Sequence, residues 1–503
     1  MKNKSVLNLT FNVLSLVISM GLSFWITPFI INSLGAESYG FVPLTQQLIN
    51  YMTVITVSIT AVAGRFYTIA KKQNNKILQQ EYLSSTLSAG IVGSIALIIP
   101  LVIASIFIDK LLNIPTYLVK DVRISFLLYG GIFLMVFITT VFNVGAFSSN
   151  KLYITSTINI INIFVKTIVT IMLLVMLSPR IWYVSMGALV ATLVVLIITI
   201  IAFKHLEPDM KICKFGFSRL REILSSGCWV SLSEIGVILF LQIDLLVANW
   251  NLGAEVAGKY AVVLQLPAIL RTFSATIISI FVPTVISLFA LNKIKDMIKY
   301  VNDAVKYTGL ALSLPIGIVC GLGGVVLALW IGESYRSFGL LLAVLTIHLS
   351  INLSVQTVVS IQTAVNKLKI PAFVTLIMGA ANFVLANLFS GKMGMGLMGI
   401  AIAGGIVLTA KNLVFSPLYV AKITNQPWNT YLKGVFKPFI ATSFVAIISF
   451  LATKIFNIEN FFQLIMVCFL ISFVYLIFVW FVMLNKDEHK IISSKVGEFL
   501  CKN

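Results

Sequence analysis

Long apolar runs recur from one end of this chain to the other, each separated from the next by a few polar or charged residues. About 20 apolar residues in a helix span the hydrocarbon core of a bilayer. Fourteen runs reach or approach that length: near 6–31, 40–62, 83–108, 123–148, 153–177, 181–203, 227–249, 259–290, 304–331, 336–363, 370–390, 396–420, 434–455 and 461–484. The pattern predicts an all-α polytopic membrane protein with about 14 transmembrane helices, joined by connections too short to fold as soluble domains. Pro28, Pro43, Pro100, Pro267, Pro283 and Pro315 fall inside runs and predict kinks, tolerable where neighbouring helices satisfy the freed carbonyls. Segment 212–226 departs from the pattern. Ile212, Phe215, Leu220, Ile223 and Leu224 recur at roughly helical spacing with Arg219, Arg221 and Glu222 off that face, which predicts a short interfacial helix.

A second, longer period lies over the first. Leu34-Gly35-Ala36-Glu37-Ser38-Tyr39-Gly40 returns 218 residues later as Leu252-Gly253-Ala254-Glu255-Val256-Ala257-Gly258, and Gln47-Leu48 returns as Gln265-Leu266 at the same offset. Tyr117 and Tyr335 keep it too, and Asn150-Lys151-Leu152 reappears as Asn366-Lys367-Leu368. An even number of spans between copies makes the repeats parallel, related by an axis along the membrane normal; transporters built this way hold their substrate at the repeat interface. The expected organisation is an N-lobe over 1–205, a linker over 206–226, a C-lobe over 227–425, two appended spans over 426–485 and a tail over 486–503.

Composition sharpens this picture. Of the 503 residues 59% are apolar and only 11% charged, with a mean hydropathy of +1.02, against about 45–50% and 25% in soluble chains; a soluble enzyme is excluded. The formal charge of +19 would suggest nucleic acid in a soluble protein. Here, with the N-terminus placed inside, 25 of the 36 Lys and Arg fall on the cytoplasmic side. The excess is therefore an orientation signal, implying a multi-pass plasma-membrane protein with both termini cytoplasmic and no nucleic-acid partner. The first run follows Lys2 and Lys4 and is too long for a cleaved signal, so it reads as an uncleaved span. Five scattered cysteines, three dispersed histidines and the lack of a GxxxxGK[ST] motif imply no disulfide framework, metal, nucleotide or other cofactor.

Ionised side chains within a span cost roughly 2.5–3.5 kcal/mol on insertion scales and tend to mark pathways. Three cations lie mid-span, Lys166, Arg271 and Lys411, and two carboxylates, Glu234 and Asp244, share the seventh span. Asn159, Asn162, Lys166 and Thr170 are spaced to line one helix face, which suits a water-filled cavity; at offset 216 the counterpart of Lys166 is Asn382. Arg271 offers forked donors suited to phosphate oxygens, or an ion pair with Asp244 or Glu234. Lys411 has apolar neighbours and either contributes to a site or snorkels to the interface. Arg65, closing the second span, reads as a substrate contact at the cytoplasmic mouth or as an anchor. Asn8, Asn12, Ser15, Ser19, Ser23 and Thr27 stripe the first span, and Asn352, Gln356, Ser360 and Thr363 the tenth. Such residues suit sugar hydroxyls, and they also serve as glue between membrane helices. Asp244 and Glu234 are candidates for a coupling H⁺ or Na⁺; ten residues apart, they do not share a face.

The LGAExxG motif after the first span, Asp244 followed by Leu252-Gly253 and Gly258-Lys259-Tyr260, and the stretch FSRLREILSSGCW over 217–229 together resemble the polysaccharide-transporter branch of the MOP superfamily. Its members are flippases of lipid-linked oligosaccharides of the O-antigen and capsule type, distant relatives of murein-precursor flippases and MATE exporters. Arg65, in AGRFYTIA, looks like an arginine common there, although Ser58-Ile59-Thr60 stand where Asp-Leu-Gly often precedes it. The resemblance implies two six-helix lobes plus two helices. It also implies a non-enzymatic function: moving polyprenyl-diphosphate-linked oligosaccharide from the cytoplasmic to the outer leaflet by alternating access. Membrane lipids, and a polysaccharide polymerase and glycosyltransferases of the same pathway, would be its partners. A MATE-type exporter of cationic drugs would need an acidic cavity instead. A membrane-embedded polymerase would need acid/base groups on a sizeable outer loop, and the longest here, near 109–122, offers only Asp109 and Asp121.

Overall fold

A backbone surrounded by hydrocarbon must satisfy its N–H and C=O groups within its own segment, and the apolar runs accordingly fold as helices. The computed structural model describes residues 2–149, 151–212, 219, 221, 231–232, 234–365, 367–432, 434–485 and 488–489. Its span-length helices are α1 (Lys2–Leu34), α2 (Ala36–Lys72), α3 (Lys76–Ile106), α4 (Thr116–Ser148), α5 (Leu152–Met176), α6 (Ile181–Leu206), α7 (Glu234–Leu241 with Ile243–Leu252), α8 (Ala254–Phe289), α9 (Ile294–Ile331), α10 (Glu333–Ala364), α11 (Lys369–Lys392), α12 (Gly396–Ile423), α13 (Phe436–Ile455) and α14 (Phe461–Met483). Eleven of these are long and apolar enough to cross a membrane, or twelve with the bent pair of α7 counted as one span. The continuous helices α2 and α3, of 37 and 31 residues, complete the predicted fourteen. Pro28, Pro43, Pro100 and Pro315 all lie inside continuous helices. The interfacial helix expected over 212–226 lies almost wholly outside the described residues.

By contacts the chain divides into two compact units, residues 1–262 with 369–400, and residues 263–368 with 401–503. The first unit takes α11 along with α1–α7 because two glycines let α11 lie against α7. A Cβ on Gly236 would come 2.7 Å from the Leu376 backbone N, and one on Gly379 would come 2.8 Å from the Gly236 carbonyl oxygen. Its aromatic core, around Tyr67, Tyr82, Phe137 and Phe203, joins α2, α3, α4 and α6. In the second unit the same small-residue logic joins α9 to α13: Gly309 meets Pro438, Gly317 meets Val445 and Gly321 meets Ser449. The Tyr475 hydroxyl of α14 donates to the Leu310 carbonyl at 2.5 Å, so the appended pair is fastened to α9.

The repeated LGAE motif has a backbone explanation. Gly35 has φ 82° and Gly253 has φ 86°, the region that only glycine enters readily, and each sits immediately before a helix start. Within the first unit, the glycines closing the two motif copies meet. A Cβ on Gly40 would collide with the Gly258 backbone, and one on Gly258 with the Ala36 carbonyl.

Candidate functional site

Lys166 sits midway along α5, half-buried, and among the described residues makes no hydrogen bond or ion pair. The face on which it lies changes character along the helix. Asn159 is exposed, Asn162 half-buried, and Thr170 fully buried where Gly187 of α6 brings that helix against it. The polar stripe is therefore open at its N-terminal part and closed by packing at its end. The stripe of α1 is partly self-satisfied: the Ser19 hydroxyl donates to the Ser15 carbonyl at 2.6 Å and that of Thr27 to the Ser23 carbonyl at 2.8 Å. Those hydroxyls keep lone pairs to offer, and no hydrogens. The Asn8 side chain accepts from the Tyr153 N–H at 2.9 Å, tying α1 to the first turn of α5.

The seventh span carries the most distinctive local geometry in the same unit. α7 bends by 42° at Gln242, between its two helical pieces. Asp244 falls in the first turn of the second piece, where backbone N–H groups lack helical partners and favour a negative charge. The Asn382 amide of α11 donates to the Asp244 carboxylate at 3.1 Å and to the Phe240 carbonyl at 3.4 Å. The Tyr51 hydroxyl of α2 donates to the Gln242 carbonyl at 3.2 Å. Two buried acceptors there, Gln242 Oε1 and Asn382 Oδ1, have no hydrogen-bond partner among the described residues. Four oxygen-bearing groups thus gather at the break. Glu234 stands half-buried at the start of the first piece, eight residues before the bend at Gln242.

In the second unit Arg271 lies on α8, half-buried, with its Nε atom buried. Its charge reaches His348 of α10. Asn352, one turn on from His348, is fully buried, and its amide nitrogen lies 2.8 Å from the His348 carbonyl, 3.1 Å from His348 Nδ1 and 3.1 Å from the Thr409 hydroxyl of α12. Asn352 therefore ties α10 to α12, while Gln356, where a 3₁₀ turn interrupts α10, is exposed. Gly405 makes room for the histidine ring, 3.2 Å from where a Cβ would stand. Lys411 is half-buried on a π-helical turn, Ala410–Phe415, a distortion frequent at functional sites. Arg65 lies within α2, and its side chain is outside the described set.

Sequence reasoning named Asp244 but neither Gln242 nor Tyr51, and it treated Asn382 only as the repeat counterpart of Lys166. The one signal was a polar pair, Gln242 and Asp244, inside an otherwise apolar run. His348 reads from the sequence as a packed or hydrogen-bonded histidine rather than a proton relay, and it stands four residues before Asn352, which places both on one face.

Residues 5–289 match a family described as polysaccharide biosynthesis protein. The chain is 36% identical over 494 residues, 98% of each partner, to the uncharacterized membrane protein EpsK of Bacillus subtilis (strain 168). Among solved structures it resembles an inward-facing multidrug resistance MATE family transporter of the MOP superfamily, with a TM-score of 0.71 at 11% identity, covering 84% of this chain and 99% of that one. It also resembles the lipid II flippase MurJ in an inward closed conformation, with a TM-score of 0.62 at 15% identity, covering 96% of this chain and 100% of that one.

Proposed function

Since the chain belongs to the polysaccharide biosynthesis protein family and has the fold of MOP-superfamily transporters, we propose that it is a plasma-membrane flippase for polyprenyl-diphosphate-linked oligosaccharides. The observation that carries this reading is Lys166: a cation in the middle of a span, without a partner among the described residues, on a face that continues into Asn162 and Asn159. A buried charge left without a counter-ion is costly, and a diphosphate arriving in a cavity would supply that counter-ion. Amides beside it suit sugar hydroxyls. In the second unit Arg271 would take phosphate oxygens and Lys411 and Gln356 would contribute further cargo contacts, and in the first Arg65 would act at the cytoplasmic mouth. Asn352, held by three partners, would orient the α10–α12 contact rather than meet cargo.

Asp244 would couple the cycle to an ion. The bend leaves oxygens of Gln242 and Asn382 beside its carboxylate, acceptors that suit a proton or sodium ion better than an anion; Glu234 is the second candidate. Alternating access would carry the head group while the polyprenyl tail stays in lipid. Both a MATE-type exporter and a lipid II flippase share this fold; an exporter of cations should have an acidic cavity, and the cations Lys166 and Arg271 favour an anionic cargo instead. The test is reconstitution into vesicles with a labelled polyprenyl-diphosphate glycan. The expected result is protein-dependent access of label to the opposite leaflet; equal access with and without protein would sink the reading.

A further inference from the structure

A cavity of about 430 Å³ opens in the second unit between α9, the start of α10 and the end of α13. That is within the range of small-molecule sites, about 300–1,000 Å³. Glycines bring the surrounding backbones close. A Cβ on Gly324 would come 2.8 Å from the Arg336 carbonyl oxygen, and one on Gly321 would come 2.6 Å from the Ala446 carbonyl oxygen. Val325, Leu340, Ala343 and Phe450 give the cavity an apolar wall, and Arg336, Thr453, Lys454 and Asn457 give it a polar one.

The two cations are not neutralised alike. Arg336 forms an ion pair with Glu333 through Nε and Nη2, the latter at 3.1 Å, while its Nη1 makes no hydrogen bond among the described residues. Lys454 lies 5.7 Å from the centre of the Phe450 ring and has no carboxylate or carbonyl partner among the described residues. The cavity lies at the ends of α9 and α13 away from Lys293 and Lys437, the side that the charge distribution assigns to the outside. Cationic donors beside an apolar wall, at the end of three membrane helices, match an anion that carries hydrocarbon. A free anion would leave the apolar wall unused.

We propose that this groove binds the phosphate headgroup of an anionic phospholipid of the outer leaflet. Arg336 and Lys454 hold the phosphate, Thr453 and Asn457 meet headgroup hydroxyls, and an acyl chain lies along Leu340 and Phe450. The site is separate from the residues assigned to transport, so its failure would leave the flippase reading standing. The test uses the full chain in phosphatidylcholine vesicles doped with a photoactivatable phosphatidylglycerol, with crosslinks mapped by mass spectrometry. Label should appear on peptides covering 320–343 and 450–458. It should fall at least fivefold in the R336Q/K454Q double variant and at least twofold in Lys454→Gln alone, which changes a single side chain at a helix end. A photoactivatable phosphatidylcholine should give background labelling only. Equal labelling by phosphatidylcholine, or labelling unchanged in both variants, would overturn the proposal. So would displacement by millimolar inorganic phosphate, which would point to a free anion. Labelling by a polyprenyl-phosphate probe but not by phosphatidylglycerol would overturn the phospholipid assignment as well.

Discussion

Lys166 of α5 and Asn382 of α11 occupy corresponding places in the two halves of the sequence, and both lie in the first compact unit, yet their surroundings have diverged. Lys166 is half-buried, has no partner among the described residues, and lies near the exposed Asn159. Asn382 is fully buried and spends its amide hydrogens on Asp244 and Phe240 of the broken helix α7. One copy of the position carries an uncompensated cation; the other compensates an anion. Duplication preserved where on the helix the polar residue falls, and the packing partner decided what it does. Beside Lys166, Gly187 admits α6 against the backbone, 3.2 Å from the Lys166 carbonyl oxygen to where a Cβ would stand and closer still to the Thr170 hydroxyl, and leaves the ammonium without a partner among the described residues. Near Asn382, Gly236 and Gly379 bring the first piece of α7 against α11, and the amide itself reaches Asp244 and Phe240.

The most severe way to break this contrast is to remove the cation. In the vesicle assay Lys166→Gln should lower transport at least tenfold while leaving expression and thermal stability within error, since no hydrogen bond or ion pair among the described residues depends on the ammonium. A charge-assisted hydrogen bond is worth about 1.5–3 kcal/mol, and about 1.4 kcal/mol is a factor of ten. Activity retained in Lys166→Gln would remove α5 from the cargo route. The opposite outcome is expected in the second copy. Asn382→Ala removes the amide that donates to the Asp244 carboxylate and the Phe240 carbonyl, and a hydrogen bond to a charged group is worth about 1.5–3 kcal/mol. It should therefore destabilise the protein by that order, read as a lower midpoint of thermal unfolding. Asn382→Ala with unchanged stability would mean that the bond to Asp244 contributes nothing net.

The repeated motif offers a milder comparison between the halves. Gly253→Ala asks alanine to adopt φ 86°, a conformation that costs an ordinary residue about 1–3 kcal/mol, and Gly35→Ala should cost about the same because its φ is 82°. Unequal costs at these two positions would show that the copies carry different strain despite matching backbones. Thermal unfolding of the two single variants settles it.

How much of this was readable beforehand depends on how local the determinant is. The spans were legible because membrane helices satisfy their own backbones, so each apolar run reports its own structure. The Gly35 and Gly253 repeat was legible for the same reason, since a positive φ is a property of one residue. The bend of α7 was not: neither glycine nor proline stands at Gln242, and the break becomes visible only with Tyr51 and Asn382 placed around it by α2 and α11. Asn352 shows the complementary difficulty. Its place on a polar stripe left cargo contact and helix glue both open, and its three contacts, two of them to His348, tie α10 to α12. A stripe fixes a face, and only the neighbouring helix reveals whether that face meets water or another side chain.

The smallest expected effect belongs to a lysine in the opposite situation to Lys166. Lys76, exposed at the start of α3, donates to the Asp209 carboxylate at 2.7 Å. The bond to Asp209 raises the Lys76 ammonium above its ordinary 10.5, and the bond from Lys76 lowers the Asp209 carboxyl below its ordinary 3.8. Asp209 therefore contributes stability above its ordinary value, and that contribution is lost as pH falls through the lowered one. Lys76 contributes below 10.5, and its share is lost as pH rises through the raised value. Across neutral pH the pair is intact and nothing should change. Fully exposed ion pairs contribute little, so Asp209→Asn should leave both transport and global stability within error at pH 7. The local signature is hydrogen exchange of residues 206–212: in the parent it should quicken in acid below the lowered Asp209 value relative to Asp209→Asn, once the intrinsic pH dependence is divided out. If parent and variant respond identically, the pair fastens nothing. In that case the contrast with Lys166, one lysine engaged at the surface and the other held open inside a span, would rest on the membrane-embedded residue alone.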